Sequence, residues 1–400
     1  NAQRYGVNIK RLFSRERFRG TILVYKNKKM FGFSHPTYLG VDFGTASIKA
    51  IEIREKNGTI ELVNFGQVNL SHLEKNGAAP GESFGDVLVT YLKALLSRMN
   101  PETDAAYVAM PAFIGLISLV DFPEMEDKEL EEAVQFEAKR FIPASLDDIA
   151  LSWDVIRNTA KPDGTGMRQE VLVVAALKNE VERYRDYVEK AGLKMDFLEL
   201  ETFSLARAVV GTQKDLVLLI DIGARSTNLL LVESGLVRVS RNLDVGGKDL
   251  TRTLSETLDI TPERAEVLKK SNKDFLNEPE ARIIFPALEV MIDEGKRMIS
   301  SHLERYPEFT CREVVLSGGS ASFTGLTTYL EKAFDQPVRK GNPWGRIQYD
   351  PKYKEDIEEL GTSFSVAIGL ALSGIDSVQA GGQAHYKKPS ALKELLGKRL

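Results

Sequence analysis

Of 400 residues only Cys311 is a cysteine, so no internal disulfide can form and stability must come from packed cores. No uninterrupted apolar run approaches the roughly 18 residues that a membrane-spanning helix needs, although 43% of the chain is hydrophobic. The composition is that of a soluble globular chain, with 28% charged residues. No signal-peptide pattern precedes the globular part, and with a lone cysteine a reducing cytoplasm is the expected compartment. Acidic residues are nearly missing from residues 1–29, where Glu16 stands alone against nine lysines and arginines. A second basic stretch, YKKPSALKELLGKRL, closes the chain, while the net charge is −4, so the body between them is acidic. The two ends read either as solvated termini or as peripheral contacts with an anionic membrane surface, and no nucleic-acid partner is expected. Met30 followed by FGFSHP looks like a natural chain start, which makes residues 1–29 an upstream segment.

What the sequence does have is an internal repeat. YLGVDFGTASIKAIEI (38–53) runs apolar into Asp42, turns through Gly44, offers Thr45 and Ser47, and returns to alternating apolar residues. DLVLLIDIGARSTNLLLVE (215–233) does the same about 180 residues later with Asp221, Gly223, Ser226 and Thr227. Such a length predicts more than one core, and the repeat predicts two similar lobes, each opening with a β-hairpin on an acidic turn.

Between and after the hairpins, ESFGDVLVTYLKALLSRM reads as an amphipathic helix and AAYVAMPA as a strand. EDKELEEAVQFEAKRF starts acidic and ends basic, complementing a helix dipole. The Pro, Asp and Gly of RNTAKPDGTGMRQ mark a hairpin loop before the strand EVLVVAALK, and NEVERYRDYVEKAGL is a helix stopped near Gly192. ETFSLARAVVG returns as a helix to the first lobe. In the second lobe, GGKDLTRTLSETL, TPERAEVLKKS with Thr261 as N-cap, and ARIIFPALEVMIDEGKRMISSHLERY read as helices. REVVLSGGSASFTGLTTYLEKAF gives strand, double glycine and helix, and TSFSVAIGLALSG a last helix. The resulting division is a basic, partly disordered leader (1–37), a first-lobe core (38–118 and 198–212), an inserted α+β subdomain (119–197), a second-lobe core (213–249 and 311–376), a helical subdomain (250–310) and a basic tail (377–400).

Two facing Asp-x-Gly hairpins suit a nucleotide tail held between lobes. Glycine lets backbone N–H groups approach phosphates, the hydroxyls add donors, and Asp42 and Asp221 can hold Mg²⁺ through water. Lys49, seven residues after Asp42, supplies a compensating charge. Gly246 and Gly247 before a helix predict an anion site on free N–H groups, and Gly318, Gly319 and Ser320 after a strand predict close approach of a flat ring or ribose. This order of turns resembles the nucleotide clamp of the actin, sugar kinase and heat-shock chaperone superfamily. It implies an α/β, two-lobe fold with duplicated ribonuclease-H-like subdomains and ATP or ADP with Mg²⁺ as ligand. By that resemblance Glu294 with Lys296 or Arg297 lies against the adenosine, the plainer reading being a solvated helix face. Glu201 lies where relatives keep a residue that orients the attacking water; the plainer reading is an N-terminal dipole partner, and no catalytic residue is assigned beyond it.

The inserted segment narrows the resemblance. FEAKRFIPASLDDIALSWDVI together with AALKNEVERYRDYVEKAGLKMDFLELETFSLARA resembles the type IV pilus assembly PilM family, itself related to the division protein FtsA. The similarity covers about residues 30–375. It implies a cytoplasmic ATP-binding scaffold, peripheral to the inner membrane, that grips the N-terminal cytoplasmic tail of the membrane protein PilN and connects with other pilus inner-membrane and motor components. The peptide groove then involves the region of Phe141, Ile142 and Pro143, whose plainer reading is core packing. Homo-oligomerisation is compatible with the fold. Two other classes stay open: an FtsA-like, membrane-attached filament protein, for which SALKELLGKRL would have to act as an amphipathic anchor, and a small-molecule kinase, for which no substrate base stands out beside the turn aspartates.

Overall fold

The computed structural model describes residues 22–26, 35–70, 83–141, 145–160 and 166–379. The first sheet opens with β1 (Ile22–Lys26), β2 (Thr37–Phe43), β3 (Ser47–Lys56) and β4 (Thr59–Asn69). Helix α1 (Phe84–Met99) then leads to β5 (Ala105–Met110). Ser83 starts α1 because its hydroxyl accepts from the Asp86 N–H while the Asp86 carboxylate accepts from Ser83 N, a reciprocal cap. Within the leader expected to be partly disordered, residues 22–26 form a strand. ILVY is the apolar run of that leader, and it pairs antiparallel to β4 with Tyr25 stacked on Phe65 at a ring separation of 4.5 Å. Residues 1–21, 27–34 and 380–400, with Ile142 and Pro143 and what the sequence predicts for them, lie outside the described residues.

A 3₁₀ turn (Ala112–Ile114) carries the chain out of the first sheet into a second, three-stranded one. This comprises β6 (Gly115–Pro123), helix α2 (Asp127–Phe141), β7 (Ile149–Ala160) and β8 (Met167–Leu177), in the antiparallel order β6-β8-β7. One face of this sheet forms a small core with α2 through Phe122, Leu130, Val134, Val171 and Val173. Leu172, Ala150 and Ala176 belong to the large core that runs from the first sheet to one face of the second-lobe strands. Helix α3 (Lys178–Lys190) and strand β9 (Lys194–Leu200) bring the chain back, β9 running parallel to β5. The inserted sheet thus begins at Gly115 rather than 119, and β9, unmarked in the sequence reading, rejoins the first sheet at Lys194. A bulge shifts the β5–β9 register, so buried Met195, Leu198 and Leu200 do not keep one alternating phase.

Helix α4 (Glu201–Val209) precedes the second lobe. There β10 (Leu216–Ile222), β11 (Thr227–Glu233) and β12 (Leu236–Leu243) are followed by helices α5 (Gly247–Leu258), α6 (Pro262–Lys269) and α7 (Pro286–Arg305). Then come β13 (Cys311–Ser317), α8 (Leu326–Phe334), β14 (Val338–Lys340), β15 (Ile347–Gln348), α9 (Lys354–Leu360) and α10 (Ser365–Gln379). The sheet order is β12-β11-β10-β13-β14, with β10 and β13 parallel. Helix α7 starts five residues later than the expected Ala281, because Pro286 lacks the N–H that a helix interior needs and so takes the first helical position.

Helices α4 and α10 lie between the two large sheets, α10 crossing β2, β3 and β5 and packing on α4. The crossing is close because of glycine: a Cβ on Gly40 would lie 2.1 Å from the Ala367 carbonyl, and one on Gly369 would lie 2.0 Å from that of Ser204. The helical run Pro351–Ser377 is long and apolar enough by composition to cross a membrane, yet 72% of its apolar window is buried inside the protein, as befits a core helix. Gly40→Ala is expected to destabilise the protein by about 2 kcal/mol in chemical denaturation, since backbone must move to admit the methyl. Gly319→Ala, where an added Cβ meets nothing within 4 Å, should leave stability unchanged.

Candidate functional site between the lobes

The hairpin β2–β3 carries Asp42 on its buried side, opposite Lys49 in the ladder, with Lys49 Nζ 3.6 Å from its carboxylate. Asp221 is the penultimate residue of the central strand β10, in register with Asn228 on one side and Ser317 on the other. Burial pushes the Asp221 acid up to about 6; the Ser317 hydroxyl and Lys49 oppose this, while the Asp42 charge adds to it. Burial likewise raises Asp42, with Lys49 offsetting part of the rise. The Asp42 charge reaches Asp221 and Lys49 acts on both acids, so the two repeated turns face one another across the cleft.

Glu201, the first residue of α4, is the third carboxylate of this cluster. Its acid is pushed up to about 7, chiefly by burial and further by Asp42 and Asp221. One carboxylate oxygen accepts from Ala112 N (2.9 Å) and from Asn228 Nδ2 (2.9 Å), and Asn242 Nδ2 donates to Asn228 Oδ1 (2.8 Å), fixing the amide. A simple dipole partner at the helix start does not account for this: Glu201 joins the turn leaving the first sheet to a strand of the second lobe.

The glycines divide into two kinds. Gly44 and Gly223 make tight turns, where a Cβ would lie 2.9 and 2.8 Å from the Ser47 and Ser226 carbonyls, and Gly223 N donates to Ser226 O at 3.0 Å. Gly246 and Gly247 do not present free N–H groups, which corrects the expected anion site. Gly246 N donates to Asp249 (2.8 Å), Gly247 N to Gly223 O (2.8 Å) and Lys248 N to Ala224 O (2.9 Å). These glycines are required because side chains there would strike residues 223–225 or Ser320. Thr227 is corrected likewise: it is fully buried and donates to Val245 O at 2.8 Å, holding the approach to Gly246. Gly318 has φ +86° and a Cβ there would lie 2.4 Å from Ile222 O, while Gly319 beside it is exposed and open. Thr45 and Ser226 are half-buried on the two turns, and Ser47 and Ser320 are buried.

On α7, Glu294 pairs with Arg241 of β12 (3.8 Å) and with Arg297 (2.9 Å), and Lys296 is exposed. The structure thus gives Glu294 and Arg297 ion-pair partners on the second-lobe surface. Sequence reasoning missed Lys269, which is buried and donates to Gly247 O (2.9 Å) and Thr251 Oγ1 (2.8 Å) while pairing with Glu266 (2.7 Å). Nothing in TPERAEVLKKS separates this lysine from its neighbour. Asn228 and Asn242 were also missed, although an amide inside the apolar run of β11 was a usable signal.

Among the described residues no group of three or more His, Cys, Asp or Glu side chains is arranged to hold a metal unaided. An oxygen-only pair, Asp42 and Asp221, beside an open glycine does fit a hard cation that keeps waters and takes its other ligands from phosphate.

Comparison with known proteins matches the family model described as type IV pilus assembly protein PilM over residues 40–375. A solved PilM–PilN type IV pilus biogenesis complex superposes with a TM-score of 0.68 at 25% identity, covering 84% of this chain and 98% of that one. Cell division protein FtsA from Neisseria meningitidis serogroup B is 23% identical over 387 residues, covering 83% of this chain and 89% of its own. FtsA from Pseudomonas aeruginosa is 21% identical over 384 residues, covering 86% of this chain and 90% of its own. The α/β architecture is the actin-like one of these proteins, with two lobes and an inserted sheet. With some five-sixths of its length matched, this chain belongs to the type IV pilus assembly protein PilM family.

Proposed function

We propose that this protein is a cytoplasmic scaffold of a type IV pilus inner-membrane assembly complex. It holds Mg-ATP between its lobes, grips the N-terminal cytoplasmic tail of a PilN partner and links that tail to the pilus motor. The observation that carries the partner is the likeness to the solved PilM–PilN complex over 84% of the chain. The observation that supports the nucleotide is the cluster of three carboxylates, in which Asp42 and Asp221 share Lys49 and both charges act on Glu201. When bound, Mg²⁺ neutralises phosphate charge. On this reading Asp42 and Asp221 hold its waters, Lys49 faces the phosphates, Gly319 leaves room for the nucleoside, and Glu294, Lys296 and Arg297 border it from α7. Glu201 is held by Ala112 and Asn228, which suits a slow switch better than rapid turnover.

On this reading the peptide groove runs between the first-lobe core and the inserted sheet and involves the region of Phe141, the last residue of α2. Phe113 lies on the turn joining the two and is 60% exposed, an apolar anchor for an extended peptide. A synthetic PilN-like N-terminal peptide is expected to bind with micromolar or better affinity in calorimetry, and Phe113→Ala to weaken it by about tenfold. Absence of binding with Mg-ATP present would sink the scaffold reading, and steady ATP consumption stimulated by a small alcohol or sugar would favour a kinase instead.

A further inference from the structure

We infer that a buried ionic cluster fastens the inserted sheet to the second lobe, so that closure of the lobes on a nucleotide moves that sheet against the first lobe and resets the affinity of the peptide groove. This rests on the function proposed above and adds how the two sites are coupled.

Glu170 of β8 and Glu233 at the end of β11 are both buried, and two arginines reach both of them. Arg238 of β12 donates to Glu170 (2.6 Å) and to Glu233 (2.7 Å). Arg157 of β7 donates to Glu233 (2.9 Å) and lies 3.7 Å from Glu170. Two residues come from the inserted sheet and two from the second lobe, with charges alternating around a neutral ring. The Tyr306 hydroxyl, from the end of α7, donates to Glu170 at 2.6 Å, and Arg157 stacks over Phe309 at 5.0 Å. At the margin Arg305 pairs with Asp121 of β6 at 2.9 Å.

Withdrawal would leave one acid and one base on each side, but it would break the Arg238–Glu170, Arg157–Glu233 and Tyr306–Glu170 hydrogen bonds that cross, and buried hydrogen bonds to charged groups are costly to lose. The ring is therefore a registry device: the inserted sheet moves with the second lobe. The same sheet is joined covalently to the first lobe on both sides, through Ala112–Ile114 and through α3, which packs on β9 and α1. It straddles the lobes.

Strand β11 connects the two sites physically. At one end Asn228 lies opposite Asp221 and donates to Glu201, and at the other, roughly 17 Å away at strand rise, Glu233 enters the ring. Every residue of β11 is buried, so the strand transmits displacement as a rigid piece.

The test titrates the PilN-like peptide into the full chain with and without Mg-ATP. In the wild type the two affinities are expected to differ by fivefold or more, and by reciprocity the peptide shifts ATP affinity by the same factor. The paired change Glu170→Gln with Arg238→Met removes one acid and one base together, leaving Glu233 matched by Arg157. Asp121→Asn with Arg305→Gln is a milder marginal version that serves if the first folds poorly. Both are expected to bind peptide with the nucleotide factor reduced, to within twofold in the first pair. A wild type that binds peptide equally well with and without nucleotide overturns the coupling while leaving the scaffold reading intact, and so does a full wild-type factor in both variants. If the wild type binds no peptide, the scaffold reading fails and the coupling is read by hydrogen exchange. Mg-ATP should then change protection of β6 and β8 in the wild type and not in the paired variant, and equal behaviour of the two overturns the inference.

Discussion

Replacing Asp221 by asparagine is expected to weaken Mg-ATP binding by roughly 30-fold or more and, at pH 8, to raise the melting temperature of the nucleotide-free protein. The two effects share one cause. A carboxylate taken out of water by the ends of β10, β11 and β13 is costly to ionise, and its acid rises from 3.8 to about 6. At pH 8 that difference corresponds to about 3 kcal/mol of strain carried by the ionised folded state. Asparagine keeps the shape and loses the charge, relieving the strain when no cation is present. It also forfeits the charge that would hold hydrated Mg²⁺, and losing one partner of a buried charged contact costs about 2–5 kcal/mol. Calorimetric titration and thermal melting read the two effects separately. Unchanged ATP affinity would show that the clamp is misplaced, and a lowered melting temperature would show that Asp221 is not a strained group.

The opposed directions explain what the sequence could reveal of this site. The repeat of Asp42-x-Gly44 at Asp221-x-Gly223 is legible because hairpin geometry fixes both the glycine and the acid within three residues. Its meeting across the cleft is a tertiary fact, visible only in the way the Asp42 charge raises Asp221 and Lys49 lowers both. Double glycine was legible as a demand for close approach, yet composition does not say what approaches: at Gly318 and Gly319 one side stays open, whereas at Gly246 and Gly247 the neighbour is the second turn itself. Thr227 was misread for the same reason, since its hydroxyl has a carbonyl partner supplied 18 residues later. Strand β9 hid behind a bulge, and the start of α7 behind apolar residues 283–285, which run continuously into the helix but are not helical. The ring of Glu170, Arg238, Glu233 and Arg157 draws on four strands of two sheets and leaves no local pattern at all.

Nucleotide-free protein is expected to lose stability as pH rises from about 5 to above 7, and Glu201→Gln is expected to flatten that slope by up to about 3 kcal/mol. The sign follows from proton counting. Glu201 titrates near 4.5 when unfolded and near 7 when folded, chiefly because it is buried, with Asp42 and Asp221 adding to the rise. Between those values the folded chain holds a proton that the unfolded chain has released, so raising the pH favours unfolding until both forms are ionised. Asp221 acts in the same sense from about 4 to 6. Other groups act the other way, among them His302, Glu170, Glu266 and Glu313. Burial holds His302 neutral in the fold, so stability there is lost as pH falls below about 6.5. Against its own burial, Glu170 is kept below the usual carboxylate range by Tyr306 and Arg238, and its contribution is lost below about 4.5. The informative quantity is therefore the wild-type slope minus that of Glu201→Gln, measured by denaturant melts at several pH values. Glutamine can still accept from Ala112 N and Asn228 Nδ2, so the fold is preserved and the difference isolates the proton. Identical slopes would show that Glu201 is not held protonated by its surroundings. Because a bound cation favours the ionised acids, Mg-ATP binding at pH 6.5 should release protons in the wild type and release fewer in Glu201→Gln, read as a dependence of the binding heat on buffer ionisation enthalpy.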